Sequence, residues 1–240
     1  MNYWKLTLLL LCVISLGKCA YGVSIGTGII VDFGNTGSVP NTNEYSGPNV
    51  GSALNNLIDT VGAGTQIDVT ATDWAPLNNV NGASWLGGNQ DWMSDALGDD
   101  HLTTVVPGAT GTVTFSEVPA GLYTVEMVSA SSVSNIATEI LVNGSSTNDN
   151  ADGGSVSSFS WAADQTGQGR DNWLIFNSIS PVSGVIEITL RDVGPANVTN
   201  VNAVQLTQVS AIPEPSFFGL FGGLLVLGWV LYRGRKPDHG

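Results

Sequence analysis

Between residues 23 and 211 the chain is built from short runs in which apolar and polar residues alternate, broken every few residues by Gly, Asn, Ser or Pro. Val113 and Phe115 alternate with Thr112, Thr114 and Ser116; Tyr123, Val125 and Met127 with Thr124 and Glu126; Ile186, Ile188 and Leu190 with Glu187 and Thr189. A period of two places successive side chains on opposite faces, so each run is a strand with one dry and one wet face. Further strands are expected at 28–33, 66–72, 102–106, 137–142, 155–161, 173–179 and 203–209, with short helices near 51–59 and 91–97. About ten short strands with turns such as Pro119-Ala120-Gly121 predict an all-β fold, an antiparallel two-sheet jelly-roll sandwich.

Charge and rare residues narrow the function. The 23–211 region holds 18 acidic residues against Arg170 and Arg191 and no lysine, a formal charge of −16. Binding a polyphosphate backbone requires lysines and arginines to displace its counterions, so a nucleic-acid partner is excluded. Cys12 and Cys19 both precede this region, which therefore has no disulfide, no thiolate metal site and no cysteine nucleophile. His101 is its one histidine. A serine triad through it would lack a nucleophile-elbow motif, and a glycosidase carboxylate pair needs a separation that sequence does not reveal.

The two ends are different in kind. Residues 1–22 combine Lys5 with an apolar run over 6–16, too short to span a bilayer, and Ala20 and Gly22 supply small residues for a cut before Val23. This is the pattern of a secretory signal peptide. At the other end, in 212–240, Pro213-Glu214-Pro215 precedes an apolar run over 217–232 and then Arg233, Arg235 and Lys236. One transmembrane helix is expected there, with the basic end cytoplasmic. Sixteen residues cover about 24 Å of a roughly 30 Å hydrocarbon core, so flanking side chains must snorkel.

This order closely resembles the PEP-CTERM sorting signal. The resemblance implies an exported protein of a Gram-negative bacterium, handled by signal peptidase and then by an exosortase, a membrane-embedded enzyme that recognises the Pro-Glu-Pro tail. It also implies transient inner-membrane anchoring and release to the cell surface or the extracellular (biofilm) matrix. The same tail is also known under an ice-binding C-terminal-domain label; Thr110, Thr112 and Thr114 alternate, but one strand of threonines is ordinary sheet surface. Within 28–209, Ile29-Ile30-Val31-Asp32-Phe33-Gly34, the run 118–125, Ile140-Leu141-Val142-Asn143-Gly144, the run 184–190 and 201–206 resemble a galactose-binding-like or malectin-like jelly roll, which implies contact with carbohydrate.

Candidate ligand residues are few. Trp85 and Trp92 lie in a Gly/Asn-rich stretch, where they either pack beneath the loop or present indoles to the apolar faces of sugar rings, whereas Trp161 and Trp173 fall on strands and are expected in the core. Asp91, Asp95 and Asp99 recur every four residues beside Asp100, either around a structural Ca2+ or as a solvated acidic face. Residues 148–153 open like a calcium loop but reach Phe159 where that loop needs a bidentate carboxylate, and read as a turn-rich loop. The sequence thus predicts a non-catalytic, exosortase-sorted surface or matrix protein in contact with polysaccharide and with no obligate cofactor. The alternatives are a polysaccharide-active hydrolase or lyase and a ligand-free coat protein.

Overall fold

The computed structural model describes residues 25–34, 39–45, 51–74, 92, 101–104, 108, 110–129, 138–151, 173–194 and 199–211, with backbone alone for 145–151. In chain order the strands are β1 (Gly28–Asp32), β2 (Asn43–Glu44), β3 (Ala53–Leu54), β4 (Asp68–Thr72), β5 (Leu102–Thr104), β6 (Thr110–Ser116), β7 (Gly121–Val128), β8 (Thr138–Val142), β9 (Ser145–Ala151), β10 (Trp173–Ile179), β11 (Ile186–Asp192), β12 (Thr199–Val201) and β13 (Ala203–Ala211). A five-stranded sheet, β10-β7-β13-β1-β2, faces a six-stranded sheet, β3-β4-β6-β11-β8-β9, and β12-β5 forms a small ribbon. Every pairing is antiparallel except the two-residue contact of β1 with β2. The fold is the expected all-β sandwich.

Alternation decides which residues fill it. Tyr123, Val125 and Met127 of β7, Leu174 and Phe176 of β10, and Val204 and Leu206 of β13 point inward from one sheet. From the other come Val113 and Phe115 of β6, Ile186, Ile188 and Leu190 of β11, and Ile140 and Val142 of β8. Two tight turns use the same backbone. Asn143 and Gly144 (φ 51° and 74°) join β8 to its partner β9, and Ser183 and Gly184 (φ 53° and 78°), closed by the Val182–Val185 bridge, carry the chain from β10 in one sheet to β11 in the other. Positive φ at both central residues is the geometry whose twist matches that of paired strands.

The expected helix over 51–59 is a correction. Ala53, Leu54, Leu57, Ile58 and Val61 do repeat at helical spacing, but this segment is laid out as β3 and a looping bridge between Ile58 and Gly64. Asn43 explains why. Its amide nitrogen donates to the carbonyls of Ile30 (2.9 Å) and Ile58 (2.8 Å), while its oxygen accepts the Ile58 N–H at 2.8 Å, so one side chain supplies the strand-like partners a helix would have satisfied internally. Asp59 closes the loop by accepting the N–H groups of Val61 and Ala63. Residues 148–151, read as loop, are instead part of β9, where Asn150 pairs with Glu139. The expected strand at 155–161 lies outside the described residues, as do 1–22, 212–240 and, apart from Trp92, the expected helix at 91–97. Among the described residues no helix is long and apolar enough to cross a membrane.

Strand direction gives the sandwich two poles. Gly26 donates to the Gln208 carbonyl and Ala211 pairs with Gly121, so both ends of the domain meet at one pole. At the other lie Asp32, Val128, Trp173 and Ala203, side by side across four strands. Two tyrosines tie the interior together. The Tyr45 hydroxyl donates to the Ser52 carbonyl at 2.7 Å and accepts the Ala71 N–H at 3.0 Å, and the Tyr123 hydroxyl donates to the Pro119 carbonyl at 2.9 Å. Burial pushes the Tyr123 phenol up to about 12 and raises that of Tyr45.

Asn43→Ala is expected to lower unfolding free energy by about 2–3 kcal/mol, since it leaves three backbone groups without their partner; urea denaturation measures it. A raised phenol pKa means the folded state holds its proton more tightly. That contribution is complete below pH 10 and is lost as pH rises towards about 12, at up to roughly 1.4 kcal/mol per pH unit. Tyr123→Phe should flatten this alkaline decline in denaturation midpoints.

Candidate functional site

With the even-numbered side chains turned away from the core, β7 places Thr124 and Glu126, partly exposed, and the buried Val128 on the outer side of the five-stranded sheet. Across one side Trp173 pairs with Val128 and Ile175 with Glu126; across the other, Ala203 pairs with Val128, Gln205 with Glu126 and Thr207 with Thr124. A half-buried carboxylate thus sits mid-sheet, between an isoleucine and a glutamine.

Two indoles converge on it. Trp92 Nε1 donates to Glu126 Oε2 at 2.9 Å and Trp173 Nε1 donates to the same oxygen at 3.1 Å. Charge-assisted bonds of this kind are roughly twice as strong as neutral ones, so the carboxylate fixes both rings. Both indoles remain half-buried rather than enclosed. Trp92 is neither fully exposed nor enclosed. Trp173, expected in the core, is not there: Leu174 and Phe176 take the inward positions of β10, so the residue before them must face out.

Oε1 of Glu126 accepts no hydrogen bond from the described residues. Beside it, the Gln205 side chain reaches over β1: a Cβ on Gly28 would come within 2.4 Å of its amide nitrogen, so a larger residue there would displace the Gln205 amide. Gln205 Oε1 is buried and takes no hydrogen bond. Such an acceptor costs about 1–3 kcal/mol until something donates to it. Further along, Thr124 Oγ1 donates to Asn177 Oδ1 at 3.2 Å. The face therefore sets one carboxylate between two indoles, with the buried Gln205 oxygen beside it.

Arg191 is the only arginine or lysine among the described residues, and it is paired with Glu139 on the outer face of the opposite sheet. No basic side chain among them balances Glu126.

A second polar cluster occupies the pole away from the chain ends. Thr138 and Thr199 share a 2.6 Å hydroxyl contact, Thr103 Oγ1 donates towards the Thr104 and Thr199 carbonyls at 3.1 Å, and Ser129 Oγ donates to the Asn200 carbonyl at 2.7 Å. His101, Asn200 and Asn202 are buried in the same region. These hydroxyls serve backbone groups of the short β5–β12 ribbon. Trp74 is also structural, buried with its Nε1 donating to the Thr112 carbonyl at 3.0 Å.

Trp85 and the aspartates at 91, 95, 99 and 100 lie outside the described residues, as do Pro213, Glu214, Pro215, Arg233 and Arg235. Among the described residues no group of three or more His, Cys, Asp or Glu side chains could hold a metal ion. Sequence reasoning missed Glu126 and Trp173 as candidate site residues. Glu126 was visible as a lone acid on the wet face of a strand, but the residues opposite it depend on pairing across 50 and 80 positions of chain.

No family model matches the chain, and no curated protein matches it either. Among solved structures, a Bacillus subtilis protein, YxiM, aligns over 78% of this chain and 41% of its own at 13% identity with a TM-score of 0.43. A family 35 carbohydrate-binding module from an environmental isolate aligns over 45% of this chain and 75% of its own at 20% identity with a TM-score of 0.30. This chain thus spans well under half of the Bacillus protein. Similarity at this level assigns neither family nor function.

Replacing Glu126 by Leu should free both indoles at once. The expected outcome is a change in tryptophan emission together with a loss of about 1–3 kcal/mol in stability, because two N–H groups lose one shared acceptor. Unchanged emission would mean that the indoles are held by other contacts.

Proposed function

We propose that the chain is an exported, non-catalytic surface or extracellular-matrix protein whose jelly-roll domain contacts polysaccharide through Trp92, Trp173 and Glu126. The observation that carries this reading is the convergence of two partly exposed indoles on one carboxylate oxygen. Indoles supply apolar rings for sugar faces, and fixed oxygens supply acceptors for sugar donors; their mutual bonds hold the set in place before any ligand arrives. Placement favours display. Glu126 is five residues along β7 from Gly121, which pairs with Ala211. At about 3.4 Å per residue that is roughly 17 Å away from the pole where the chain leaves the domain.

The Pro213-Glu214-Pro215 tail, with its apolar run and arginines, supports processing by an exosortase after signal-peptide removal, with the membrane helix as a transient anchor. Contacts of this size give micromolar to millimolar affinity, about −8 to −4 kcal/mol, and multiple copies on a surface add avidity.

The full-length chain in mild detergent should bind an immobilised polysaccharide without releasing reducing ends or unsaturated products, and Trp92→Ala or Trp173→Ala should weaken binding at least tenfold while preserving the β-rich circular dichroism. Release of such products would establish the hydrolase or lyase instead, and binding unaffected by both substitutions would place the contact elsewhere. In native extracellular material, intact mass should correspond to a chain lacking the apolar tail; recovery of the whole tail would overturn the sorting step.

A further inference from the structure

We propose that the pole at which both ends of the domain meet is a membrane-docking face, whose exposed Ile25, Val61, Val182 and Val209 rest in the headgroup layer of a bilayer of zwitterionic lipid. The inference rests on the reading of 217–232 as the protein's own membrane helix and adds an orientation to it.

Position is the first ground. These four side chains and Val193 are the large apolar ones left between 48% and 69% exposed among the described residues. Exposed apolar residues are ordinary when scattered, but these four come from four separate segments and gather at one pole. Ile25 precedes Gly26, whose N–H donates to the Gln208 carbonyl at 3.0 Å, and Val209 occupies the shift of register between Gln208 and Ser210 in the pairing of β13 with β7. Val61 follows Thr60, whose N–H donates at 2.8 Å to the carbonyl of Gly28, where β1 begins. Val182 lies in the turn before Gly184, whose carbonyl accepts the Val118 N–H at 2.9 Å just ahead of β7. Val193 is at the opposite pole, next to Asp192, which pairs with Thr138.

Tethering is the second ground. Phe217, the start of the apolar run, is six residues beyond Ala211, a reach of at most about 20 Å when fully extended. Gly22, the last residue of the expected signal peptide, is three residues before Ile25. Both segments expected to enter the bilayer therefore leave from this pole, and a short tether raises the effective concentration of the pole at the lipid surface. Valine and isoleucine gain by leaving water for the headgroup boundary. Charge selects the lipid: with −16 over 23–211 and Glu117 exposed at the same pole, anionic headgroups are repelled. Docking would hold Pro213-Glu214-Pro215 at the membrane surface and keep Trp92 and Trp173 turned away from it.

The test reconstitutes the full-length chain, carrying Cys12→Ser and Cys19→Ser, into phosphatidylcholine vesicles, with one environment-sensitive fluorophore at a time attached through Val61→Cys, Val182→Cys or Val193→Cys. A phosphatidylcholine bearing a nitroxide near its headgroup should quench the labels at 61 and 182 at least threefold more than the label at 193. Ile25→Asp combined with Val61→Asp should reduce quenching at 182 at least twofold. Equal quenching at all three positions, or quenching at 182 that survives the two aspartates, would overturn docking and assign proximity to the tether alone. Labels at 61 and 182 shielded from aqueous iodide but untouched by the nitroxide lipid, with shielding that grows with protein density, would overturn it in favour of a second copy of the chain. A chain that floats with the vesicles while its labels at 61 and 182 stay unquenched would remove the docking and leave the membrane helix in place; a chain that does not float would remove both.

Discussion

Everything in this domain depends on the requirement that each sheet bury one face, which a period of two converts into a rule about single residues. With Tyr123, Val125 and Met127 committed to the interior of the sandwich, Thr124 and Glu126 have no alternative to the outside. The same rule applied to β10 places Leu174 and Phe176 inside and delivers Trp173 to the surface next to Glu126. A one-residue slip of either strand would bury the carboxylate and expose the core, so the register that makes the fold stable also assembles the site.

Polar side chains do the work that regular pairing leaves undone. Asn43 holds the 51–67 segment against β1, Tyr45 bridges from the end of β2 to the β3–β4 region, and Asp192 caps the end of β11 by accepting the Gly194 N–H at 3.0 Å. Each satisfies backbone groups that would otherwise be stranded in or near the apolar interior. Glu126 differs from these. It is occupied by two side-chain donors from separate parts of the chain and, among the described residues, serves no backbone group, as a residue that organises a surface would be.

What the sequence revealed follows from how local each signal is. The strands over 110–116, 173–179 and 186–192 were legible because alternation is written in consecutive residues. The stretch 51–59 misled because Ala53, Leu54, Leu57 and Ile58 mimic a helical face, and the decisive partner, Asn43, lies outside the window in which periodicity is read. Ser145–Ala151 offers no apolar alternation at all; it is a strand at the sheet edge, formed by a turn at Asn143-Gly144 and backbone pairing with β8. Trp92 stood out as a candidate by composition, but its partner Glu126 is 34 residues away and Trp173 is 47 beyond that. Register across strands brings them together, and a single sequence does not state it.

The central claim is that these two indoles and the carboxylate between them form the surface that meets ligand. The most direct measurement is the indole N–H region of a nitrogen–proton correlation spectrum of the protein during titration with a bound glycan, with Trp92→Phe and Trp173→Phe providing the assignments. The account predicts that the resonances of Trp92 and Trp173 shift together along one saturation curve while that of Trp74, buried on the Thr112 carbonyl, stays still. Shifts confined to other indoles, with Trp92 and Trp173 unmoved at saturation, would contradict it.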